Sequence, residues 1–231
     1  IYSLPERRYT YRIIFIPETI GSLIYMKENL DTMKKNLKAG FVLACIGDGG
    51  DYSCIHTPSG DTYTDKIVSH VLKHITDNPK EYDFLKRGSD ERQFCSPGAA
   101  LPVVCLSRTK YGCFGEYHTS FDNLDFISQA GLGGGIRLIT NCIDILENDR
   151  KYIVNTIGEP KLDKYGLYPD LSRRGSTANI RNIVDTIAYL NGNNSVFDVA
   201  TILNRDFFEI LPIIKELESK GLITAVENVN P

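Results

Sequence analysis

The chain has 231 residues, with 26 Lys and Arg against 29 Asp and Glu, a formal net charge of −3 at pH 7. That length suits one large domain, or a medium domain with a small one, each able to bury a core. The slight acidity excludes the general cationic field that drives binding to phosphate backbones, so no nucleic-acid partner is expected.

No apolar run reaches 18 residues, and Ile1 to Arg8 lacks the basic, apolar, small-residue order of a secretory signal. A soluble chain with no membrane partner is expected. Cys45, Cys54, Cys95, Cys105, Cys113 and Cys142 are scattered without a CxxC pair, and several sit inside apolar runs, the usage of reduced core thiols in a cytoplasmic protein.

In chain order, Tyr11 to Pro17 reads as a short strand, and Ser22 to Leu37, apolar at Leu23, Met26, Leu30, Met33 and Leu37, as a helix. Gly40 ends that helix. Phe41 to Ile46 reads as a buried strand closing on the turn residues 47–50, and Tyr52 to Thr57 as another. Thr64 to Thr76 has helical spacing, Leu101 to Leu106 is a strand, and Asn123 to Glu147 is a long helix capped by Asp122 or Asn123. Strands alternating with helices predict an α/β domain, a sheet flanked by helices, over 1–157. Residues 158–175 lose periodicity and read as a linker. In 176–231, Ile180–Leu190, Val196–Leu203 and Phe207–Lys220 read as helices and Leu222–Val226 as a strand, which is winged-helix order. That segment holds four basic residues against seven acidic ones. Dimerisation, giving a homo-oligomer, or packing on the larger domain is expected of it rather than DNA binding.

Three patches carry polar residues suited to chemistry. Ile16-Pro17-Glu18-Thr19-Ile20-Gly21-Ser22 puts a carboxylate where a strand would turn into a helix, the edge at which ligands of open α/β sheets collect. Ser89-Asp90-Glu91-Arg92-Gln93-Phe94 runs on to Ser96-Pro97-Gly98. Glu116-Tyr117-His118-Thr119-Ser120-Phe121-Asp122-Asn123 places a histidine in a polar loop ahead of the long helix. Other features have plainer readings. His70 and His74 lack the intervening Glu of HExxH and read as surface histidines, the glycines at 131 and 133–135 as close helix packing, and Cys95 as a structural thiol.

The three patches together resemble the clan of co-catalytic zinc aminopeptidases that includes glutaminyl cyclase. Members carry Glu-Glu-x-Gly after a strand, then Ser-Asp-His-x-x-Phe-x-x-x-Gly-Ile-Pro, then His-Thr-x-x-Asp-Thr. The matching residues here are Glu18-Thr19-Ile20-Gly21, then Ser89-Asp90-Glu91 with Phe94, Gly98 and Pro102, then His118-Thr119-Ser120-Phe121-Asp122-Asn123. The strings PETIGS, SDERQFCSPG and EYHTS are similar, more narrowly, to aminopeptidase-like proteins found with bacterial polysaccharide-biosynthesis genes, which end in a winged helix.

The resemblance implies part of a zinc-aminopeptidase-like mixed sheet and a zinc-dependent hydrolase of amide or peptide bonds, acting on a small peptide or acylated-amine substrate. Glu18 stands at the general-base position and His118 at a zinc-ligand position, with Cys45 or Asp48 where a further ligand is expected. Asp90, Glu91, Arg92, Glu116 and Tyr117 are expected around them, orienting the ligands or binding substrate. Thr19 replaces the second glutamate, which implies one zinc ion, and Glu91 replaces the histidine of Ser-Asp-His. The family's upstream His and bridging Asp have no room before Tyr11, so an inactive fragment of a longer enzyme is expected, or else a non-catalytic binding protein built on a degenerate peptidase fold.

Overall fold

The computed structural model describes residues 6–167 and 176–226, with side chains from 180 onward in the second stretch. Residues 168–175 of the expected linker and 227–231 of the expected winged-helix segment lie outside the described residues. The chain forms two compact units, Ile1–Asp144 and Ile145–Pro231.

In the first unit the run Tyr11–Pro17 carries no strand. Apolar, β-branched composition favours an extended chain, but a strand also needs a neighbouring edge for its backbone hydrogen bonds. Ile13 and Phe15 are exposed, while Ile16 packs against a buried cluster that includes Met26, Phe94, Leu101 and Val103. Helix α1 (Ile20–Asn36) follows, and Met26, Leu30 and Met33 pack on the same cluster at helical spacing.

Gly40 opens β1 (Gly40–Leu43), where a Cβ would lie 2.7 Å from Val103 Cγ2. Glycine there lets β1 begin tight against β4 (Val103–Ser107), which is buried at all five positions. The two strands are parallel, Gly40 opposite Val103 through Leu43 opposite Leu106. On the other side of β4 lies β2 (Ser53–Ile55), antiparallel to it, and then β3 (Lys80–Tyr82), parallel to β2. The result is a mixed sheet in the order β1-β4-β2-β3.

Helix α2 (Tyr63–Ile75) begins with a capping box, in which the Thr62 hydroxyl takes the Asp65 N–H and Asp65 takes the Thr62 N–H. Ile67, Val68, Val71 and Leu72 form its buried face. The single turn α3 (Glu91–Phe94) precedes β4. The long helix α4 (Gln129–Asn148) starts later than its hydrophobic pattern suggests. The Asn123 side chain accepts the Asp125 N–H at 2.8 Å, an Asx-type turn that competes with helix, and Ser128 takes over the cap, its Oγ accepting the Gly131 N–H at 2.9 Å. Three of the four glycines of α4, Gly131, Gly134 and Gly135, are close-approach positions, as their sequence suggested. A Cβ on Gly131 would lie 2.1 Å from Gly47 O, and one on Gly135 2.6 Å from Ile46 O, whereas one on Gly133 meets nothing within 4 Å.

The second unit is a winged helix. Helices α5 (Ser176–Tyr189), α6 (Val196–Ile202) and α7 (Phe207–Ser219) bury Ile187, Val199, Phe207, Ile210 and Ile214. Strands β5 (Lys151–Val154), β6 (Asn191–Ser195) and β7 (Ile223–Ala225) pair antiparallel in the order β6-β5-β7. Its first strand thus lies ahead of the aperiodic stretch at 158–175, within which Leu162–Tyr165 makes a 3-10 turn. Among the described residues no helix is long and apolar enough to cross a membrane.

The α4 glycines provide a paired test. Gly131→Ala forces a methyl into the 47–48 backbone and is expected to destabilise by about 1–3 kcal/mol, the usual cost of overpacking. Gly133→Ala is expected to stabilise by about 0.5–1 kcal/mol, because alanine restricts the unfolded chain and nothing opposes its methyl. Urea unfolding of both variants measures the difference in sign.

Candidate active site

The segment leading into α1 is held in a tight and costly conformation. Ile20 N–H donates to Glu18 O at 2.7 Å, closing a three-residue turn with Thr19 at its centre, at φ 67° and ψ −67°. A γ-turn of this hand is rare, and a β-branched residue at positive φ is a steric outlier. One carboxylate oxygen holds it. Asp90 Oδ1 accepts the Thr19 N–H at 2.7 Å and the Ser22 hydroxyl at 2.8 Å, while Arg92 donates to the Thr19 hydroxyl. Gly21 is required behind the turn, since a Cβ there would lie 2.6 Å from Ile16 Cβ. Glu18 is thereby fixed, exposed, at the N-terminal end of α1.

Asp90, expected beside His118, spends Oδ1 on this turn. Glu91 is fully buried, and its Oε1 accepts the Gly88 N–H at 2.8 Å, the Ser89 N–H at 3.1 Å and the Tyr111 hydroxyl at 2.7 Å. Burial, with the Glu91 carboxylate against it, raises the Tyr111 phenol above its usual range. Glu91 Oε2 and Arg92 Nε are buried without a hydrogen-bond partner.

A second part of the site follows β1. Cys45 has φ 51° and a thiol pushed up to about 11, first by burial and then by the carboxylates of Asp122, Asp48 and Glu18, with Lys110 opposing them. Burial also raises the Tyr117 phenol, aided by Cys45, Glu18 and Asp122. Glu18, Cys45, Tyr117 and Asp122 therefore share one electrostatic neighbourhood, dominated by negative charge. Asp48 is buried, and both its oxygens are engaged: Oδ1 by Gly50 N–H at 2.8 Å and the Thr109 hydroxyl at 2.6 Å, Oδ2 by Thr109 N–H at 3.0 Å. Beside it, Arg108 donates to the carbonyls of Asp51, Gly50 and Gly131, tying this loop to α4.

His118 is exposed at φ 58°, its ring stacked on Tyr117 with centroids 4.0 Å apart. The Glu116 carbonyl accepts from the Thr119 N–H and hydroxyl, closing the turn around it. Among the described residues, five non-glycine positions have positive φ: Thr19, Cys45, Ala100, His118 and Asn204. Three of those five lie at or beside Glu18, Cys45 and His118.

Glu18, Cys45, Asp48 and His118 do not gather three ligand atoms at one point. Among the described residues the one such grouping is Cys54, His56 and Glu81, with ligand atoms all within 4.8 Å of one another. Sequence reasoning missed it. Cys54 on β2 and His56 just past its end stand two residues apart and are visible as a pair, but Glu81 joins them only through the β2–β3 register, in which Cys54 faces Glu81.

The family described as domain of unknown function (DUF4910) matches residues 1–149, and that described as winged helix-turn-helix matches 150–225. The chain belongs to the DUF4910 family. It is 44% identical, over 164 residues covering 71% of this chain and 37% of the relative, to a Clostridium acetobutylicum protein named for polysaccharide biosynthesis and an aminopeptidase-like domain. A crystal structure from C. acetobutylicum, named as a peptidase, matches with a TM-score of 0.86 at 36% identity, over 97% of this DUF4910 chain and 50% of that one. An aminopeptidase from Aneurinibacillus sp. strain AM-1 is more distant, with a TM-score of 0.44 at 21% identity, over 55% of this chain and 30% of that one. The chain thus spans half or less of the length of the proteins it matches.

If Asp90 holds the strained turn by accepting hydrogen bonds, Asp90→Ala should cost about 1–3 kcal/mol, the penalty for stranding buried donors. Asp90→Asn keeps an acceptor oxygen and should cost less. Equal losses in thermal unfolding would show that charge, not acceptance, does the holding.

Proposed function

We propose that this chain carries part of the active site of an aminopeptidase-like hydrolase of amide bonds, with Glu18 as general base and His118 as a zinc ligand. What carries the reading is the placement of strain. Unfavourable backbone conformations persist where surrounding structure enforces them and gather at functional sites, and here Thr19, Cys45 and His118 hold three of the five. Relatives named as a peptidase and as aminopeptidase-like support the reaction class.

The residues suit a cation in charge and kind. The carboxylates of Glu18, Asp48 and Asp122 all bear on Cys45, with Lys110 as the opposing charge, and imidazole is a preferred zinc donor. Of the further ligand candidates, Asp48 is committed to Gly50 and Thr109, and the Cys45 thiol, pushed up to about 11 by burial and the carboxylates near it, would have to release its proton to a bound metal. His118 is therefore the ligand on which the proposal rests. A single zinc, when bound, supplies the Lewis acidity that lowers the pKa of water and polarises a carbonyl.

The chain's own contribution is positional. The Thr19 turn, held through Asp90 and Arg92, aims Glu18 to accept a proton from the attacking water and return it to the departing amine. Tyr117, stacked under His118, fixes that ring. Glu116 closes the turn around it through its carbonyl. The acylated amine or small peptide takes its place beside Glu18, in keeping with a relative named for polysaccharide biosynthesis. The acidic winged helix serves self-association or packing in a soluble, cytoplasmic protein.

Zinc content and amide turnover of the full-length protein test this together. Glu18→Gln should lower kcat by about 10²–10⁴-fold, the usual contribution of a general base, with zinc retained. His118→Ala should lose the one equivalent of zinc held at this site. Unchanged hydrolysis by a zinc-loaded Glu18→Gln protein would sink the assignment. A zinc-loaded wild type with no amidase activity would favour a binding protein on a peptidase fold.

A further inference from the structure

Away from Glu18 and His118, the face of the first sheet under α2 carries a second group of polar side chains built around His56. Cys54 and His56 alternate along β2 and its end, so they point to the same face, and the parallel register brings Glu81 of β3 beside them. His56 Nε2 lies 3.5 Å from Cys54 Sγ and 2.8 Å from Glu81 Oε2. Two ligands on a tetrahedral zinc lie roughly 3.3–3.6 Å apart, given bonds of about 2.0–2.3 Å. The Cys54–His56 pair already has this spacing, and the Glu81 carboxylate, partly exposed on the edge strand, need withdraw by only about 0.5 Å to match it.

The groups behind these three are those that support metal ligands. Metal-bound histidines almost always donate their other ring N–H to a carboxylate or carbonyl, and ligating carboxylates are themselves hydrogen-bonded. Here His56 Nδ1 lies 2.9 Å from Asp65 Oδ1. Asp65 is in turn fixed by the Thr57 N–H at 2.9 Å, the Thr57 hydroxyl at 2.6 Å, the Thr62 N–H at 2.9 Å and the Thr62 hydroxyl at 2.7 Å. Ser69, one turn along α2, donates to Glu81 Oε2 at 2.5 Å. An ion pair of His56 with two carboxylates would have no use for a thiol, yet Cys54, 1% exposed, presents its sulfur to the same nitrogen.

We propose that Cys54, His56 and Glu81 form a binding site for one zinc ion, separate from Glu18 and His118, with a fourth position open to water at the β3 edge. One thiolate, one imidazole and one carboxylate are the three ligand types zinc takes, and a thiolate disfavours magnesium and calcium. The ion ties β2 to β3 beneath α2. Its binding displaces the proton on Nε2 and the thiol proton, as at any site of this composition.

Cobalt(II) reports the site directly, through thiolate-to-metal charge transfer. Titrating the whole chain at neutral pH should give a near-ultraviolet band saturating at one equivalent and abolished by added zinc. Cys54→Ser, a near-isosteric change checked for folding by circular dichroism, should remove the band, and Ser69→Ala should weaken affinity by about tenfold, the usual effect of a group behind a ligand. His118→Ala should leave the band intact, separating this site from the proposed catalytic one. No band in the wild-type chain, or a band that survives Cys54→Ser, overturns the proposal.

Discussion

The parallel pairing of β1 with β4 is the constraint on which the first unit depends. Its register, Gly40 with Val103 through Leu43 with Leu106, brings both strands to their ends together. Cys45 through Asp48 therefore leave the sheet beside Arg108 and Thr109, and the two loops can be joined. Asp48 is bonded to Thr109, and Arg108 gathers the carbonyls of residues 50 and 51 and of Gly131. Ligand-binding edges of open α/β sheets arise in this way, where parallel strands stop and their loops must find partners in each other. A one-residue slip would reverse the faces of β1 and separate Cys45 from the carboxylates around it.

Strain is the second thread. Thr19, Cys45 and His118 each adopt a conformation that L-residues with a Cβ disfavour, at a cost of order 1–3 kcal/mol apiece. The Thr19 turn is held by Asp90 and Arg92, which lie some seventy positions along the chain. Such an arrangement is stable only when α1, the Gly88–Phe94 segment and β4 are all in place, so the geometry around Glu18 depends on the tertiary fold and not on local sequence. Asp90 and Arg92 thus fix the backbone that carries Glu18 through their bonds to Thr19.

What could be read in the sequence follows from what periodicity encodes. Helix α2 and strands β2 and β4 carry their burial in their own residue pattern, whereas β1, apolar enough to read as a buried strand, is only half-buried and exposes Leu43. Strands β3 and β6, with sequences KEY and NGNNS, have no apolar alternation, because they are held by pairing with β2 and β5. Tyr11–Pro17 shows the reverse case, a strand-like composition without a strand. The same division holds for the site. Glu18, Asp90 and His118 stand in recognisable local motifs, but the bond from Asp90 to Thr19, the engagement of Asp48 by Thr109 and the meeting of Cys54 with Glu81 are all products of register and packing.

The two polar centres of this unit differ in how their charges are arranged. At His56, two carboxylates flank one imidazolium, whose hydrogen bonds to Asp65, Cys54 and Glu81 raise it to about 12, and Glu81 is correspondingly lowered. At Cys45 the carboxylates of Asp122, Asp48 and Glu18 act in the same direction, and Lys110 opposes them. Like charges held near one another raise the free energy of the fold unless a cation or a proton joins them, by less where they face solvent. Negative charge is in excess at both: two carboxylates meet one imidazolium at His56, and three bear on Cys45 with Lys110 opposing them. An excess of this kind, beside strained loops where parallel strands end, favours the binding of a cation.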